Sequence, residues 1–390
     1  MTRIPNILIS GSLAGGGVQT HVSLLCRVLR ESGARVTACG TSTEWSAAAL
    51  RELRDLGVRV HVPRFGRIQA LLTWPLVLRR EFDILYCIGQ GRMHRWLKQR
   101  ALRRDGWAVY HEILDCPRPG TVAERELRHL DAIIANSRSV GAAMQARWPE
   151  KPLRVVPFLT ACEPVPEPAP RPAVGSRPVR IVYLGRLASH KRPQTLMRKW
   201  PEMIRRSPLA PARLDIHGDD VSPTTLISLR REVAALGLTD DICLHGAYAH
   251  RDLPGILAQA DVVVLPSEWE GLPLVLVEAM QRGVPVVATN VGGTAELGTG
   301  NPDVIITAPE WEAFESGLLT MIGRLRRGTI DAVRLHRWTE SRYGHDSVAR
   351  MWRQMCFDTA EFFGREQQTT VTPPAQATLL EPRPSTLVHS

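Results

Sequence analysis

Hydrophobic residues in the first half of the chain follow two alternating patterns. Short continuous apolar runs predict strands, and longer segments with apolar residues at helical spacing predict helices. The segment from Thr20 to Glu31 is typical of the second pattern, since Val22, Leu25 and Val28 fall on one helical face. The apolar runs lie at 6–10, 36–39, 58–62, 84–88, 108–111 and 132–135. Strands that alternate with helices predict a parallel, doubly wound α/β sheet.

The same alternation starts again at Val179 and predicts a second domain of the same α/β type. Its apolar runs lie at 179–184, 214–217, 242–245, 262–265, 284–288 and 304–306, with a helix predicted at 194–200. The prolines between 162 and 177 favour an extended linker, because proline fixes φ and lacks a backbone N–H. This divides the chain into a first domain at 1–165, a Pro-rich linker at 166–178 and a second domain at 179–345.

Two further patterns follow the second domain. Residues 346–363 place Val348, Met351, Trp352 and Met355 at helical spacing, which predicts an amphipathic helix. Residues 364–390 are mostly polar and contain several prolines, a composition typical of a disordered tail.

Composition indicates a soluble globular protein, with 44% hydrophobic and 23% charged residues. No apolar run approaches the roughly 20 residues that a membrane-spanning helix needs. The N-terminus enters a strand directly and lacks the pattern of a signal peptide, so we expect a cytoplasmic location. The seven cysteines are scattered without paired spacing, which predicts reduced thiols.

Positive charge is concentrated in the first domain. Residues 1–165 carry 24 Lys and Arg against 14 Asp and Glu, whereas residues 166–390 carry 25 of each. Several of these basic residues lie near tryptophans in the sequence, namely Arg92, Arg95, Lys98 and Arg103 near Trp74 and Trp96. Such a surface predicts contact with a polyanion, either an anionic membrane leaflet or a diphosphate-linked acceptor. Nucleic acid is disfavoured because no recognition motif accompanies the charge.

The segment from Asp261 to Gly293 carries the strongest chemical signal, in the order strand, loop, helix, strand. Pro273 is predicted at the first helical position. The backbone N–H groups of Leu274 and Val275 would then point into the crevice at the carboxyl end of the strand and form an anion site. Glu270 and Glu278 flank that site and could accept hydrogen bonds from sugar hydroxyls. The chemistry indicated is the binding of a sugar diphosphate.

This segment resembles the donor-site signature of the retaining GT-B glycosyltransferases grouped as glycosyltransferase family 4. The resemblance covers the two glutamates with seven residues between them, Ala279-Met280, Gly283, the run PVVAT at 285–289 and Gly292-Gly293. It implies two Rossmann-like domains facing a central cleft, with the helix at 346–363 crossing back to the first domain. It also implies a same-face displacement in which the departing phosphate deprotonates the acceptor hydroxyl.

The resemblance implies a role for each residue of the donor site. Glu278 would bind the donor ribose, Glu270 hydroxyls of the transferred sugar, and Gly271 would belong to the same loop. The diphosphate would bind Gly185, Arg186, Lys191 and the amides of Leu274 and Val275. The family often has glycine after this lysine, where this chain has Arg192.

The resemblance also assigns residues of the first domain to the cleft. Gly16 and Gly17 would leave room for the reacting sugar, although Gln19 stands where the family commonly has glutamate. His111 would lie on the acceptor side. Asn136-Ser137 resembles the family's serine at the close of the first domain, and both residues could equally cap the next helix. The family's Asn-Gly hinge is missing after Pro157.

No cofactor or metal is expected. Asp219 and Asp220 are adjacent carboxylates, but two such residues do not form a metal cage, and loop capping is the favoured role. Donor sites of the resembled family generally use protein cations and helix N-termini in place of Mg²⁺.

The sequence therefore predicts a retaining glycosyltransferase that moves a hexose from a UDP- or GDP-sugar to a hydroxyl of a glycan or lipid-linked glycan acceptor. Cell-surface polysaccharide synthesis and peripheral attachment to the inner face of the plasma membrane are the expected setting. A GT-B-fold nucleotide-sugar epimerase and a catalytically silent nucleotide-sugar-binding subunit stay open as alternatives, since fold does not fix function.

Overall fold

The computed structural model describes residues 4–11, 17–40, 47–61, 81–88, 94–112, 121–161, 163–205, 211–218 and 225–364. Predictions for Gly16, Trp74, Arg92, Asp219, Asp220 and the tail beyond 364 lie outside these residues. The described chain forms two parallel sheets with helices packed against them, which confirms the predicted α/β class.

The first sheet has seven strands in the order β3-β2-β1-β4-β5-β6-β7. They are β1 (Asn6–Gly11), β2 (Arg35–Gly40), β3 (Arg59–His61), β4 (Phe82–Ile88), β5 (Leu102–Glu112), β6 (Ala132–Ala135) and β7 (Leu153–Val155). Its helices are α1 (Gly17–Glu31), α2 (Ala47–Asp55), α3 (His94–Ala101), α4 (Val122–Leu127) and α5 (Arg138–Arg147). Strand β7 was not predicted, because this three-residue edge strand has no continuous apolar run.

The second sheet has six strands in the order β10-β9-β8-β11-β12-β13. They are β8 (Val179–Leu184), β9 (Ala212–His217), β10 (Ile242–Gly246), β11 (Val262–Leu265), β12 (Val286–Thr289) and β13 (Val304–Thr307). Its helices are α6 (Pro193–Arg205), α7 (Thr225–Ala235), α8 (Leu253–Gln259), α9 (Leu274–Gln281), α10 (Thr294–Gly298), α11 (Trp311–Arg327) and α12 (Ala332–Tyr343). In each sheet the strand order reverses beside the first strand, where doubly wound folds bind ligands.

Several predicted element boundaries differ from the structure, among them those at α9, at β12 and at the C-terminal helices. Pro273 is wrong as the first helical residue, because its extended backbone (φ −74°, ψ 106°) makes it the N-cap of α9. Strand β12 starts at Val286 instead of Val284, whose N–H bonds the Ala279 carbonyl at the end of α9. The single helix predicted at 346–363 is two helices, α13 (His345–Phe357) and α14 (Thr359–Gly364), interrupted at Asp358.

Helices α13 and α14 cross back from the second sheet to the first. Trp352 is fully buried in the core of the first sheet, and its indole N–H donates to the Pro157 carbonyl at 3.1 Å. Arg154 Nε donates to the Phe362 carbonyl at 2.8 Å. The chain therefore follows the crossing that the resemblance implied.

The proline-rich segment packs against the second sheet. Val174 is buried in that sheet's core, and Arg171 Nη1 donates to the Ala260 carbonyl at 2.6 Å. The predicted domain boundaries at 165 and 179 fall between β7 and β8, and they stay predictions. Among the described residues, no helix has the length and apolar character needed to span a membrane.

Candidate functional site

The candidate site lies where the N-terminal ends of α1 and α9 approach each other. A Cβ added to Gly17, at the start of α1, would lie 3.0 Å from Leu274 Cδ1. Leu274 begins α9 in the second sheet, yet its side chain packs with the core of the first. The absence of a side chain at residue 17 therefore allows the two helix ends to meet across the crevice.

Lys191 and Glu270 form a buried ion pair at this crevice. Lys191 Nζ lies 2.6 Å from Glu270 Oε1, and Ser267 Oγ donates to the same oxygen at 2.7 Å. The carboxylate is 9% exposed, and such a buried charge is stable only when paired and hydrogen-bonded. The structure thus brings together two of the predicted donor-site residues from separate loops, after β8 and after β11. Ser267 was not predicted.

Gly292 and Gly293 hold the backbone of the Glu270 loop. Gly292 has φ +53°, and a Cβ there would lie 1.7 Å from the Glu270 carbonyl oxygen. Gly293 N–H donates to the Gly271 carbonyl at 2.6 Å. No larger residue fits at 292 without displacing the loop that carries Glu270, which is the physical reason for the paired glycines.

Arg192 adopts the left-handed conformation (φ 54°, ψ 34°) at the position where the resembled family often has glycine. This conformation costs a non-glycine residue roughly 1–2 kcal/mol. Two contacts hold the side chain: Nε lies 3.2 Å from Glu268 Oε1, and Nη1 donates to the Pro309 carbonyl at 2.8 Å. The loop after Lys191 therefore keeps its turn with an arginine in place of glycine.

The N-terminus of α9 follows the Glu270 loop directly in the sequence. Leu274 and Val275 are its first residues, so their N–H groups have no acceptor within the helix. Aligned peptide dipoles give that end partial positive charge, which favours an anion. Arg186, after β8, is exposed and its carbonyl accepts from the Tyr183 hydroxyl at 3.0 Å. Diphosphate binding by these groups stays a prediction.

Glu278, one turn further along α9, is buried and paired with a histidine that the sequence analysis missed. His250 Nε2 lies 2.9 Å from Glu278 Oε1. The Glu278 hydrogen bond raises the pKa of His250 above its usual value. Burial and the Glu278 charge raise the pKa of the nearby Tyr248 phenol. No sequence spacing indicates these contacts, because they depend on how the turn after β10 meets α9.

His111 ends β5 as expected but lies fully buried. Its Nδ1 is 2.5 Å from the Tyr86 hydroxyl, and its ring contacts His21, Phe158 and Trp352. Burial lowers the pKa of His111 well below its usual value, so the ring is neutral at physiological pH. Nε2 has no hydrogen-bond partner among the described residues. The acceptor-side role stays a prediction.

The end of β6 joins the two sheets through a helix cap. Ser137 Oγ accepts from Val140 N–H at 3.3 Å, which confirms the capping role considered for it. Glu296, from α10, accepts from the Arg138 and Ser139 amides at 2.6 and 3.2 Å. A carboxylate of the second domain thus sits on the N-terminus of α5 in the first, a contact that was not predicted.

One group among the described residues offers three ligand types suited to a metal. Donor atoms of Asp215, Cys243 and His245 lie within 4.8 Å of one another, and His245 Nε2 is 2.9 Å from Asp215 Oδ1. Arg180 and Arg213 each approach the Asp215 carboxylate at 3.6 Å and share its charge. These residues lie on β9 and β10, apart from the Glu270 loop. The group is therefore separate from the predicted donor site, and the expectation that the donor site needs no metal stays a prediction.

Comparison with known proteins finds relatives that match mainly the second half of the chain. Residues 178–324 match the family model of the glycosyl transferases group 1. The chain is 30% identical over 262 residues to a D-inositol 3-phosphate glycosyltransferase of Rhodococcus erythropolis, covering 59% of each chain. It is 42% identical over 89 residues to the lipopolysaccharide core biosynthesis mannosyltransferase LpsB of Rhizobium meliloti, covering 22% of this chain and 25% of that one. The alignments thus span less than two thirds of these relatives.

Solved structures show the same fold across nearly the whole chain. HepE of Anabaena, in complex with UDP and glucose, superposes with a TM-score of 0.71 at 20% identity, covering 90% of this chain and 99% of that one. Sucrose-phosphate synthase of Thermosynechococcus elongatus superposes with a TM-score of 0.68 at 17% identity, covering 93% and 100%. Residues 178–324 are therefore similar to the glycosyl transferases group 1, and the chain has the GT-B fold of these solved structures, with two parallel sheets.

Proposed function

We propose that this protein is a retaining glycosyltransferase that moves a hexose from a UDP- or GDP-sugar to a hydroxyl of a glycan or lipid-linked glycan. The observation that carries the proposal is the buried Lys191 and Glu270 pair beside the amide end of α9. A cation, a carboxylate and the amides of a helix N-terminus in one region suit a ligand that joins a diphosphate to a polyhydroxyl sugar.

In this mechanism the protein binds, orients and stabilises charge. Glu278 accepts hydrogen bonds from the ribose, and Glu270 accepts them from hydroxyls of the hexose. Lys191, Arg186 and the α9 amides bind the diphosphate, whose negative charge grows as the anomeric C–O bond breaks. The acceptor oxygen attacks the same face of the anomeric carbon, and the departing phosphate oxygen takes the acceptor's proton. Positioning in the cleft supplies the rest of the acceleration.

The comparisons support the donor class. HepE, which shares the fold, has been solved with UDP and glucose and with UDP-glucose. The inositol phosphate glycosyltransferase and the mannosyltransferase LpsB also carry transferase names. These properties belong to those proteins, and we extend to this chain only the use of a nucleotide sugar.

For the acceptor, we propose a lipid-linked glycan presented at an anionic membrane, in cell-surface polysaccharide synthesis on the cytoplasmic side. The support is the excess of basic residues in the first domain. In the structure, some of these basic residues lie beside carboxylates and others are exposed to solvent. Lys98 pairs with Asp131, and Arg103 lies 3.5 Å from Asp83. Arg95, Arg100 and Arg104 are exposed to solvent. Their positive charges could therefore contact an anionic surface.

Incubation with labelled UDP-glucose and GDP-mannose tests the proposal. Hydrolysis of the sugar diphosphate, or transfer to an added glycan, supports a glycosyltransferase. Interconversion of the sugars would instead indicate an epimerase, and binding without turnover a silent subunit. Glu270→Gln should abolish turnover because the amide cannot pair with Lys191, whereas the exposed Glu312→Gln serves as the matched control.

A further inference from the structure

The carboxylate of Glu278 has a partner that the proposed mechanism does not use. His250 Nε2 lies 2.9 Å from Glu278 Oε1, and Glu278 is 4% exposed. His250 belongs to the short 3-10 turn at His250–Asp252, which precedes α8, so it reaches Glu278 from a separate element. Among the described residues, no other side chain donates a hydrogen bond to this carboxylate, and Oε2 stays available.

The helix that carries Glu278 also holds the segment that leaves the first sheet, because Thr160 Oγ1 donates to Gln281 Oε1 on α9 at 2.9 Å. Glu278 is buried, and a buried carboxylate is stable when a positive charge pairs with it. The 2.9 Å contact with Glu278 therefore suits the imidazolium form of His250.

The charges around His250 favour the same form. The hydrogen bond to Glu278 is the largest influence and raises the pKa of His250, whereas burial and the Arg282 guanidinium lower it. The net direction is upward from 6.5. On its own turn, Arg251 and Asp252 pair with each other at 3.8 Å and face solvent. Tyr248, before the turn, stays neutral because burial and Glu278 raise the pKa of its phenol.

We propose that the His250 imidazolium is a positioning residue for the donor nucleotide. It holds Glu278 Oε1 and leaves Oε2 for the ribose hydroxyls, on a helix that Gln281 joins to Thr160 at the end of the first domain. The proposal rests on the proposed function, since the ribose contact of Glu278 is part of it. Loss of the proton removes the positive charge that pairs with Glu278 and weakens the contact that orients its carboxylate.

The consequence is donor affinity that depends on pH in one direction. His250 has a raised pKa, so its contribution is fully present below the usual histidine pKa and is lost as pH rises through the raised value. Weakening of this charge-assisted hydrogen bond should lower donor affinity by up to about tenfold.

Calorimetric titration of the full chain with UDP-glucose and GDP-mannose, from about pH 5.5 to about pH 9, tests this. The diester diphosphates of these donors keep their charge across that range. His250→Gln cannot titrate and should bind about tenfold more weakly at low pH, with little dependence on pH. The matched control is His245→Gln, because His245 also pairs with a buried carboxylate in the same domain. It should keep the wild-type profile.

The outcomes separate this inference from the proposed function. If the wild type binds neither donor, the proposed function fails. If it binds but His250→Gln shows the wild-type affinity and pH profile, the role of His250 is wrong and the proposed function stands. Thermal unfolding of each variant checks the fold, since the His250 side chain is 41% exposed and its replacement leaves no core cavity.

Discussion

At the scale of single residues, the crevice holds buried carboxylates that are paired before any donor binds. Glu270 accepts from Lys191 and Ser267, and Glu278 from His250. An unpaired buried charge would cost several kcal/mol, so each partner also keeps its carboxylate in place. The predicted donor contacts are therefore preorganised, and little side-chain ordering is left for binding to supply.

Replacing Lys191 with alanine should lower kcat more than it raises KM. The leaving diphosphate gains negative charge between the bound substrate and the transition state, so the cation stabilises the transition state more than the ground state. Loss of such a group should lower kcat by about 10²–10³. Steady-state kinetics on the folded variant measures this, with the exposed Lys199→Ala as control. A change confined to KM would make Lys191 a uniform binder and contradict the proposed mechanism.

At the scale of elements, the loops after β8 and β11 are held by contacts between them. Glu268 N–H donates to the His190 carbonyl at 2.7 Å, while Arg192 pairs with Glu268. Gly292, in the loop after β12, supports the Glu270 backbone from the other side. Three strand ends thus position one ion pair, a common arrangement at the carboxyl edge of a parallel sheet.

Gly292→Ala should lower both activity and the unfolding temperature. The added Cβ would lie 1.7 Å from the Glu270 carbonyl oxygen, at a backbone φ of +53°, so the Glu270 loop must move. Such strain costs of order 1–3 kcal/mol. Arg192→Gly is the matched control, because glycine relieves a left-handed residue and should keep the loop. Calorimetric unfolding and steady-state kinetics measure both variants. If Gly292→Ala and Arg192→Gly had the same unfolding temperature and activity, the role given to Gly292 would be wrong.

The elements differ in how far the sequence predicts them. Strand β11 was predicted at its observed residues, because a short apolar run between turn signals is typical of a strand buried on both faces. The break at Asp358 was missed, because apolar spacing continues through it. The contact of His250 with Glu278 could not be predicted, since it depends on two elements meeting in the folded chain. The support that Gly292 gives the Glu270 backbone was not predicted either, because the sequence shows the glycine but not the close approach of the two loops.

At the scale of the whole molecule, the crevice depends on contacts that join the two sheets. Trp352, on α13, is buried in the core of the first sheet although its helix follows the second. Glu296 caps α5 across the crevice, and its raised pKa reflects burial. The fold and the two-sheet division followed from alternating patterns in the sequence, whereas these joining contacts required the structure.

Activity should survive chelation of divalent metals. The predicted diphosphate ligands are Lys191, Arg186 and helix amides, which supply positive charge without a metal ion. Turnover of the nucleotide sugar should therefore be equal with and without excess EDTA. Full loss in EDTA, with recovery on adding Mg²⁺ or Mn²⁺, would overturn the metal-free site. Asp219 and Asp220 would then be the first candidates to replace by alanine.

The basic surface of the first domain should attach the protein to anionic membranes. Arg95, Arg100 and Arg104 are exposed on α3 and the start of β5. Each basic residue near an acidic leaflet contributes about 1 kcal/mol, so replacing all three by serine should weaken binding roughly a hundredfold. Co-sedimentation with phosphatidylserine-containing vesicles measures this, and wild-type binding should fall steeply with added salt.

The matched control changes the same charge in the second domain, at the exposed Arg231, Arg251 and Arg327. This variant should sediment like the wild type, because the excess positive charge lies in residues 1–165. Equal loss in both variants would mean that net charge alone drives attachment and that no docking face exists. A wild type that stays in the supernatant with acidic vesicles at low salt would exclude the membrane, and a soluble glycan would become the better acceptor.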